Sequence, residues 1–217
     1  MLELALKSLA AYLLGALMGA LILGSFTGVD IRTQGSGNAG GTNALRTQGK
    51  AFALGVVAID LFKGWCAVVW VPALALPGTL IASALPRDWI IGACAIAAVL
   101  GHLYPVWFDF RGGKGAATAL GVVMGVAPLM LAPVALVWLV VLLLTGFVGL
   151  ATILAVSALP LVAAAHEPAS LPWLATTLVI AAAVIYAHRG NITRMLDGTE
   201  ARARRLWLFR PRSDRSP

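Results

Sequence analysis

The chain has 217 residues, of which 60% are hydrophobic and only 12% charged. So much apolar side chain excludes a disordered chain, and a chain of this length lacks the interior to hide it in a soluble enzyme. The formal charge is +7, and eight arginines lie between Arg189 and Arg215 with only Asp197, Glu200 and Asp214 among them, the pattern of a polytopic membrane protein with a basic cytoplasmic end.

The first apolar run, Leu4 to Gly24, is long enough to cross a bilayer of roughly 30 Å. Lys7 sits near its start, where a long side chain snorkels to the headgroups. A basic start followed by small residues also fits a signal peptide, but the run is long for one and a retained helix is expected. A polar stretch from Val29 to Lys50 follows, then a second span from Ala51 to Ala73. Pro77, Pro86, Arg87 and Asp88 form a connector to a shorter third span, Trp89 to Tyr104. A second polar stretch, Asp109 to Lys114, comes next. Gly115 to His166 holds no Asp, Glu, Lys or Arg. Pro128, Pro133 and Thr145-Gly146 divide it into pieces 115–127, 130–145 and 147–165. A loop, His166 to Pro172, precedes the last span, Trp173 to Ala187. Cys66 and Cys94 lie inside apolar runs and are expected to be free, buried thiols.

Arg32, Arg46 and Lys50 mark the first polar stretch as cytoplasmic, Arg111 and Lys114 the second, and the arginine-rich tail the third. The loops with Arg87 beside Asp88, or with Glu167 alone, read as outside. An even number of crossings then separates the second stretch from the tail. The expected fold is all-α and polytopic, with about seven transmembrane helices, some short or re-entrant, the N-terminus outside and the C-terminus cytoplasmic. Piece 115–127 is short for a full span, so five spans with a re-entrant hairpin are the alternative. Residues 1–200 form one transmembrane domain and 201–217 a basic tail that meets lipid, not nucleic acid.

The polar segments carry the chemistry. Gly35 to Lys50 contains G-x-G-x-x-G, with Asp60 twenty residues past Gly40, but apolar spans flank it where a dinucleotide fold needs a strand. Its glycines can instead turn backbone N–H groups into an anion nest, with Ser36, Thr42 and Asn43 as polar partners and Arg46 as a phosphate fork. The second segment, Phe110 to Thr118, resembles a P-loop but lacks its first glycine and the Ser/Thr after Lys114. A loop of Gly112, Gly113 and Gly115 that opens a helix still presents free N–H groups beside the Lys114 charge. In the third segment, His188 and Asn191 share a face if the last helix continues. Asp60 and Lys63, three apart inside the second span, are expected to pair in the bundle interior as a structural ion pair. His102, His166 and His188 belong to separate segments and indicate no metal.

GSGNAGGTNALRTQGK, GHLYPV followed by FRGGKGAAT, HRGNITRMLDGTE, and DLFKG in the second span together resemble one family. It is the bacterial acyl-phosphate:glycerol-3-phosphate acyltransferases (PlsY type). The match runs from about Gly35 to Glu200, with Gly41, Arg111 and Tyr104 as mild departures. The resemblance implies an inner-membrane enzyme with a cytoplasmic site that acylates the 1-hydroxyl of sn-glycerol 3-phosphate from acyl phosphate. It yields lysophosphatidate and phosphate, the committed acylation of phospholipid synthesis, with no metal or cofactor. Its partners are the bilayer, the two substrates and, as a candidate, the soluble enzyme that makes acyl phosphate. Carried over by residue, Ser36, Arg46, Lys114, His188 and Asn191 bind glycerol 3-phosphate. Thr42, Asn43, the Gly112–Gly115 loop and Thr118 bind the acyl phosphate headgroup, and Glu200 is structural. The base is either His188 or the donor's own phosphate. The competing reading is a transporter or binding protein for a phosphate-bearing solute, which the intramembrane Asp60 and Lys63 also suit.

Cysteines placed at Thr33, Gln48, Asp109 and Thr193 should react with an impermeant thiol reagent only from the cytoplasmic side, and one at Ser170 only from outside. Labelling of the first four from opposite faces contradicts a shared site.

Overall fold

The computed structural model describes residues 1–75, 85–165 and 170–209. Pro77, His166, Glu167 and the end of the basic tail, 210–217, lie outside the described residues. Among those described, the regular elements are ten α-helices and four short 3₁₀ turns, and no strand. The helices are α1 (Leu2–Gly15), α2 (Gly19–Thr27), α3 (Gly41–Thr47), α4 (Lys50–Val69), α5 (Arg87–Leu103), α6 (Ala116–Val126), α7 (Leu131–Thr145), α8 (Val148–Ala165), α9 (Leu171–Ala187) and α10 (Arg189–Leu196).

Among the described residues the apolar runs are helical, as expected where no water satisfies the backbone. Among the described residues four stretches, Lys50–Ala73, Arg87–Phe108, Pro128–Thr145 and Val148–Ala165, are long and apolar enough to cross a membrane on their own. The first and last runs reach that length only as bent pairs: α1 with α2 at 42° and α9 with α10 at 50°. At 11 residues, α6 is too short for a simple span. The continuous first helix expected from Leu4 to Gly24 is therefore corrected to two helices, broken at Ala16 to Met18. Pro133 also breaks nothing, because it lies in the first turn of α7, where a proline lacks no needed hydrogen bond. Cys66 and Cys94 are free and buried.

The bundle is centred on α4, which packs against α1, α2, α3, α5 and α6. The second layer runs from α1 through α5 and α9 to α8 and α7. The α4–α6 crossing depends on small residues. A Cβ at Gly64 would overlap the Thr118 carbonyl, and one at Gly121 the Leu61 carbonyl. In lipid, where helices gain nothing from burying apolar surface against each other, such close backbone approach supplies the packing. The short α6 is thereby fixed with its N-terminus, and the glycine loop before it, pressed against the centre of the bundle.

Candidate active site

Residues with little in common in the sequence meet around one buried cluster. Lys63 Nζ lies 2.8 Å from Asp60 Oδ1, 2.9 Å from His102 Nδ1 and 2.8 Å from the Leu17 carbonyl. Asp60 Oδ1 also accepts the Gly19 N–H at 3.2 Å. All three side chains are buried. The break in the first helix is thus explained: it frees a carbonyl and an N–H that helix ends leave unpaired, and the ion pair takes both. The expected Asp60–Lys63 pair is present, and its neighbour His102 was missed. A lone histidine in an apolar helix carries little signal, and only its place in GHLYPV marked it.

The cluster holds the glycine loop. The His102 carbonyl accepts the Gly113 N–H at 3.1 Å. A Cβ at Gly113 would overlap His102 Nε2, and one at Gly112 the His102 carbonyl. These two glycines were expected to cradle an anion; the structure turns them toward His102, and neither lines the cavity. Gly115 does line it, and with φ +80° it is the turn that starts α6. Thr118 was also expected at the substrate. It is buried on α6 with its backbone against Gly64, away from the cavity.

The cavity measures about 500 Å³ and has two parts. Its polar mouth is lined by Ser36, Thr42, Asn43 and Arg46 from the first segment, Lys114 from the second, and His188, Asn191, Arg194 and Glu200 from the third. Asp60 and His102 reach it from behind, and Asn38 and Arg194 are lining residues the sequence reading missed. The remainder is an apolar groove between Leu120 and Val123 of α6, Val134 and Trp138 of α7, and Thr152, Val156 and Leu159 of α8. A smaller hollow of about 170 Å³ shares Ser36, Asn38, Lys114, Asn191 and Arg194 with the mouth.

Hydrogen bonds fix the mouth. Asn43 is fully buried, and its amide staples the first segment: Oδ1 accepts the Ser36 N–H at 2.9 Å, while Nδ2 donates to the Gln34 and Ile31 carbonyls. That leaves Ser36 and Thr42 exposed at the mouth. Lys114 Nζ donates to Asn191 Oδ1. Asn191 Nδ2 donates to Glu200 Oε1 at 2.7 Å, and Arg194 Nε to Glu200 Oε2 at 2.6 Å. Arg46 is exposed and donates to the Ala201 carbonyl at 3.5 Å. The last helix bends at His188 and does not run straight on, yet His188 and Asn191 both stay buried and both line the cavity.

Electrostatics follow from burial. Desolvation, helped by the Arg194 and Arg46 charges and opposed by Glu200, pulls the Lys114 ammonium down to about 8. Burial, and then the Lys114 charge, lowers His188 to about 4, against the Val184 hydrogen bond that raises it. His188 Nδ1 sits 2.8 Å from the Val184 carbonyl. A carbonyl only accepts, so Nδ1 carries the proton and Nε2 is the ring's free acceptor.

A bundle of apolar helices whose cationic mouth opens directly into an apolar groove defines a class: membrane proteins that handle an amphiphile with an anionic head. The comparisons narrow it. A family model described as glycerol-3-phosphate acyltransferase matches residues 5–198. The glycerol-3-phosphate acyltransferase of Aquifex aeolicus (strain VF5) is 42% identical over 193 residues, 88% of this chain and 95% of that one. That of Agrobacterium fabrum (strain C58) is 40% identical over 203 residues, 92% and 91% of the two chains. Crystal structures of PlsY (YgiH), an integral membrane glycerol 3-phosphate acyltransferase, superpose with TM-scores of 0.79 for its glycerol 3-phosphate form and 0.78 for its lysophosphatidic acid form. Each shares 38% identity and covers 92% of this chain and 94% of that one. The chain belongs to the glycerol-3-phosphate acyltransferase family, and it is a multi-pass integral membrane protein.

Anion binding beside Lys114 should depend on pH. Affinity for a small phosphate monoester should be flat from about pH 7 to about pH 8 and fall as much as tenfold per unit above that, as the free ammonium loses its proton. Isothermal titration in detergent measures this. Lys114→Arg should flatten the fall, because guanidinium keeps its charge. A fall of equal slope in Lys114→Arg assigns it to another group.

Proposed function

We propose that the protein transfers a fatty acyl group from acyl phosphate to the 1-hydroxyl of sn-glycerol 3-phosphate at the cytoplasmic face of the bacterial inner membrane. The observation that carries this reading is the continuity of the cationic mouth with the apolar groove. An acyl phosphate is a phosphate on a lipid chain, and it fits such a space head and tail. Glycerol 3-phosphate, the ligand of the related crystal structure, has no apolar part and suits the mouth alone.

Both substrates are phosphate anions that repel each other. Arg46, Lys114 and Arg194 all line the mouth, and their charges offset that repulsion while holding the reactants close. Ser36, Arg46, Lys114, His188 and Asn191 hold the acceptor in this reading. Thr42 and Gly115 meet the donor head, while Asn43 and Glu200 hold the binding groups in place. The acceptor hydroxyl oxygen attacks the acyl carbonyl carbon. A new C–O ester bond forms, the bond from that carbon to the phosphate oxygen breaks, and phosphate leaves with the electron pair. The hydroxyl proton has two candidate takers. An imidazole near 4 is a weak base at neutral pH, whereas a phosphate ionises a second time near 6. The donor phosphate therefore takes the proton, and His188 Nε2 orients the hydroxyl. The acyl donor is already an activated mixed anhydride, so no acyl-enzyme is needed.

Purified protein in detergent should release phosphate from palmitoyl phosphate only when glycerol 3-phosphate is present. Lys114→Ala and Arg46→Ala, each removing a charge-assisted contact, should cut kcat/KM by roughly 10- to 150-fold while the protein still elutes as a folded species. Phosphate release that ignores glycerol 3-phosphate, or both variants turning over at the wild-type rate, contradicts the reading.

A further inference from the structure

The chain beyond residue 198 lies outside the family match, yet it is anchored both to the mouth residues and to the neighbouring turn between α7 and α8. At the mouth, Glu200 bonds Asn191 and Arg194, and the Ala201 carbonyl accepts from Arg46. The segment then crosses the turn between α7 and α8. The Leu208 N–H donates to the Leu143 carbonyl at 2.9 Å and the Ala203 N–H to the Gly146 carbonyl at 2.7 Å. Trp207 Nε1 donates to the Leu144 carbonyl at 3.1 Å and Arg202 Nη1 to the Thr145 carbonyl at 3.2 Å. Four successive carbonyls at the end of α7, groups a helix leaves without internal partners, are thus all taken. The Arg202 guanidinium lies between two rings, 4.3 Å from the Phe147 centroid and 4.1 Å from that of Trp207. Gly146, at φ +74°, leaves room for this; a Cβ there would approach Trp207 Cβ to 3.1 Å.

We infer that residues 201–209 are a strap that holds the α7–α8 hairpin in register with the headgroup site, and that Arg202 and Trp207 are its positioning residues. The hairpin carries much of the groove, including Trp138, Thr152 and Val156, while Arg46 and Asn191 belong to the mouth. α8 is held by α9 and, at the mouth, by α10, whereas α7 packs on α8 and only lightly on α6, so the strap ties down the mouth end of α7, the helix of the hairpin with the fewest other partners. The inference rests on the groove being the acyl site of the proposed reaction. A donor that spans mouth and groove then senses the strap, and an acceptor held in the mouth does not.

Two measurements on the full chain in lipid nanodiscs test this. Hydrogen exchange at the Ala203 and Leu208 amides should be slow in the wild type and at least about tenfold faster in Arg202→Ala. In steady-state assays, Arg202→Ala should raise the KM for palmitoyl phosphate roughly three- to tenfold and leave the KM for glycerol 3-phosphate unchanged. Arg202→Lys should recover part of the loss, because an ammonium still donates to Thr145 and still places a cation over a ring, although it cannot stack as the planar guanidinium does. Fast exchange at both amides in the wild type overturns the strap. So does an equal rise in both KM values, or a lower kcat with the donor KM unmoved. If the wild type shows slow exchange but no turnover of palmitoyl phosphate, it is the acyl-phosphate reading that fails. The strap then stands or falls on whether Arg202→Ala speeds exchange.

Discussion

The ion pair of Asp60 and Lys63, buried with His102 among apolar helices, is the constraint to which the rest of the structure answers. A charge in that place is costly, and removing one partner of such a pair commonly costs about 3–5 kcal/mol because the other is left uncompensated. The fold meets the requirement with backbone. The first helix breaks so that the Leu17 carbonyl faces Lys63 and the Gly19 N–H faces Asp60. The third partner, His102, uses its own carbonyl to hold Gly113. One cluster therefore fixes α1, α2, α4 and α5 together and sets where Lys114 emerges.

From there a second polar chain runs outward through Lys114, Asn191, Glu200 and Arg194. Lys114 comes from the second polar segment and the other three from the third, so the mouth assembles only when the bundle does. The groove needs no polar partners and is built from the short α6 and the α7–α8 hairpin. In the proposed reaction, two neighbouring spaces of opposite character take a charged acceptor and an amphiphilic donor. Desolvation lowers both Lys114 and His188, so in the proposed reaction the anion meets a cation that is easily neutralised and the hydroxyl meets an imidazole that stays uncharged.

Much of this was legible in the sequence. Uninterrupted apolar runs located the helices, and the glycines with Arg46, Lys114, His188 and Asn191 located the mouth, because chemistry of that kind is costly beside lipid unless it is used. What was not legible depends on partners distant in the chain. Nothing local breaks the first helix at Ala16 to Met18; the cause is a carboxylate and an ammonium some forty residues on. The loop Gly112–Gly115 reads as a single cradle, but which glycine faces the cavity is decided by His102 on another helix. Asn43 reads as a ligand for substrate and does line the cavity, but that its amide closes the segment it belongs to depends on where the Ile31 and Gln34 carbonyls fold. The role of the tail was invisible because its partners are main-chain carbonyls, which carry no sequence signal.

The central claim is that one amphiphile occupies both spaces, its phosphate in the mouth and its chain in the groove. A crystal structure of the protein with a non-hydrolysable acyl phosphonate tests it most directly. The account predicts the phosphonate within hydrogen-bond distance of Lys114 and the chain running between Leu120 of α6 and Trp138 of α7. A chain lying on the outer, lipid-facing surface, or a phosphonate away from Lys114 and Arg46, would contradict it.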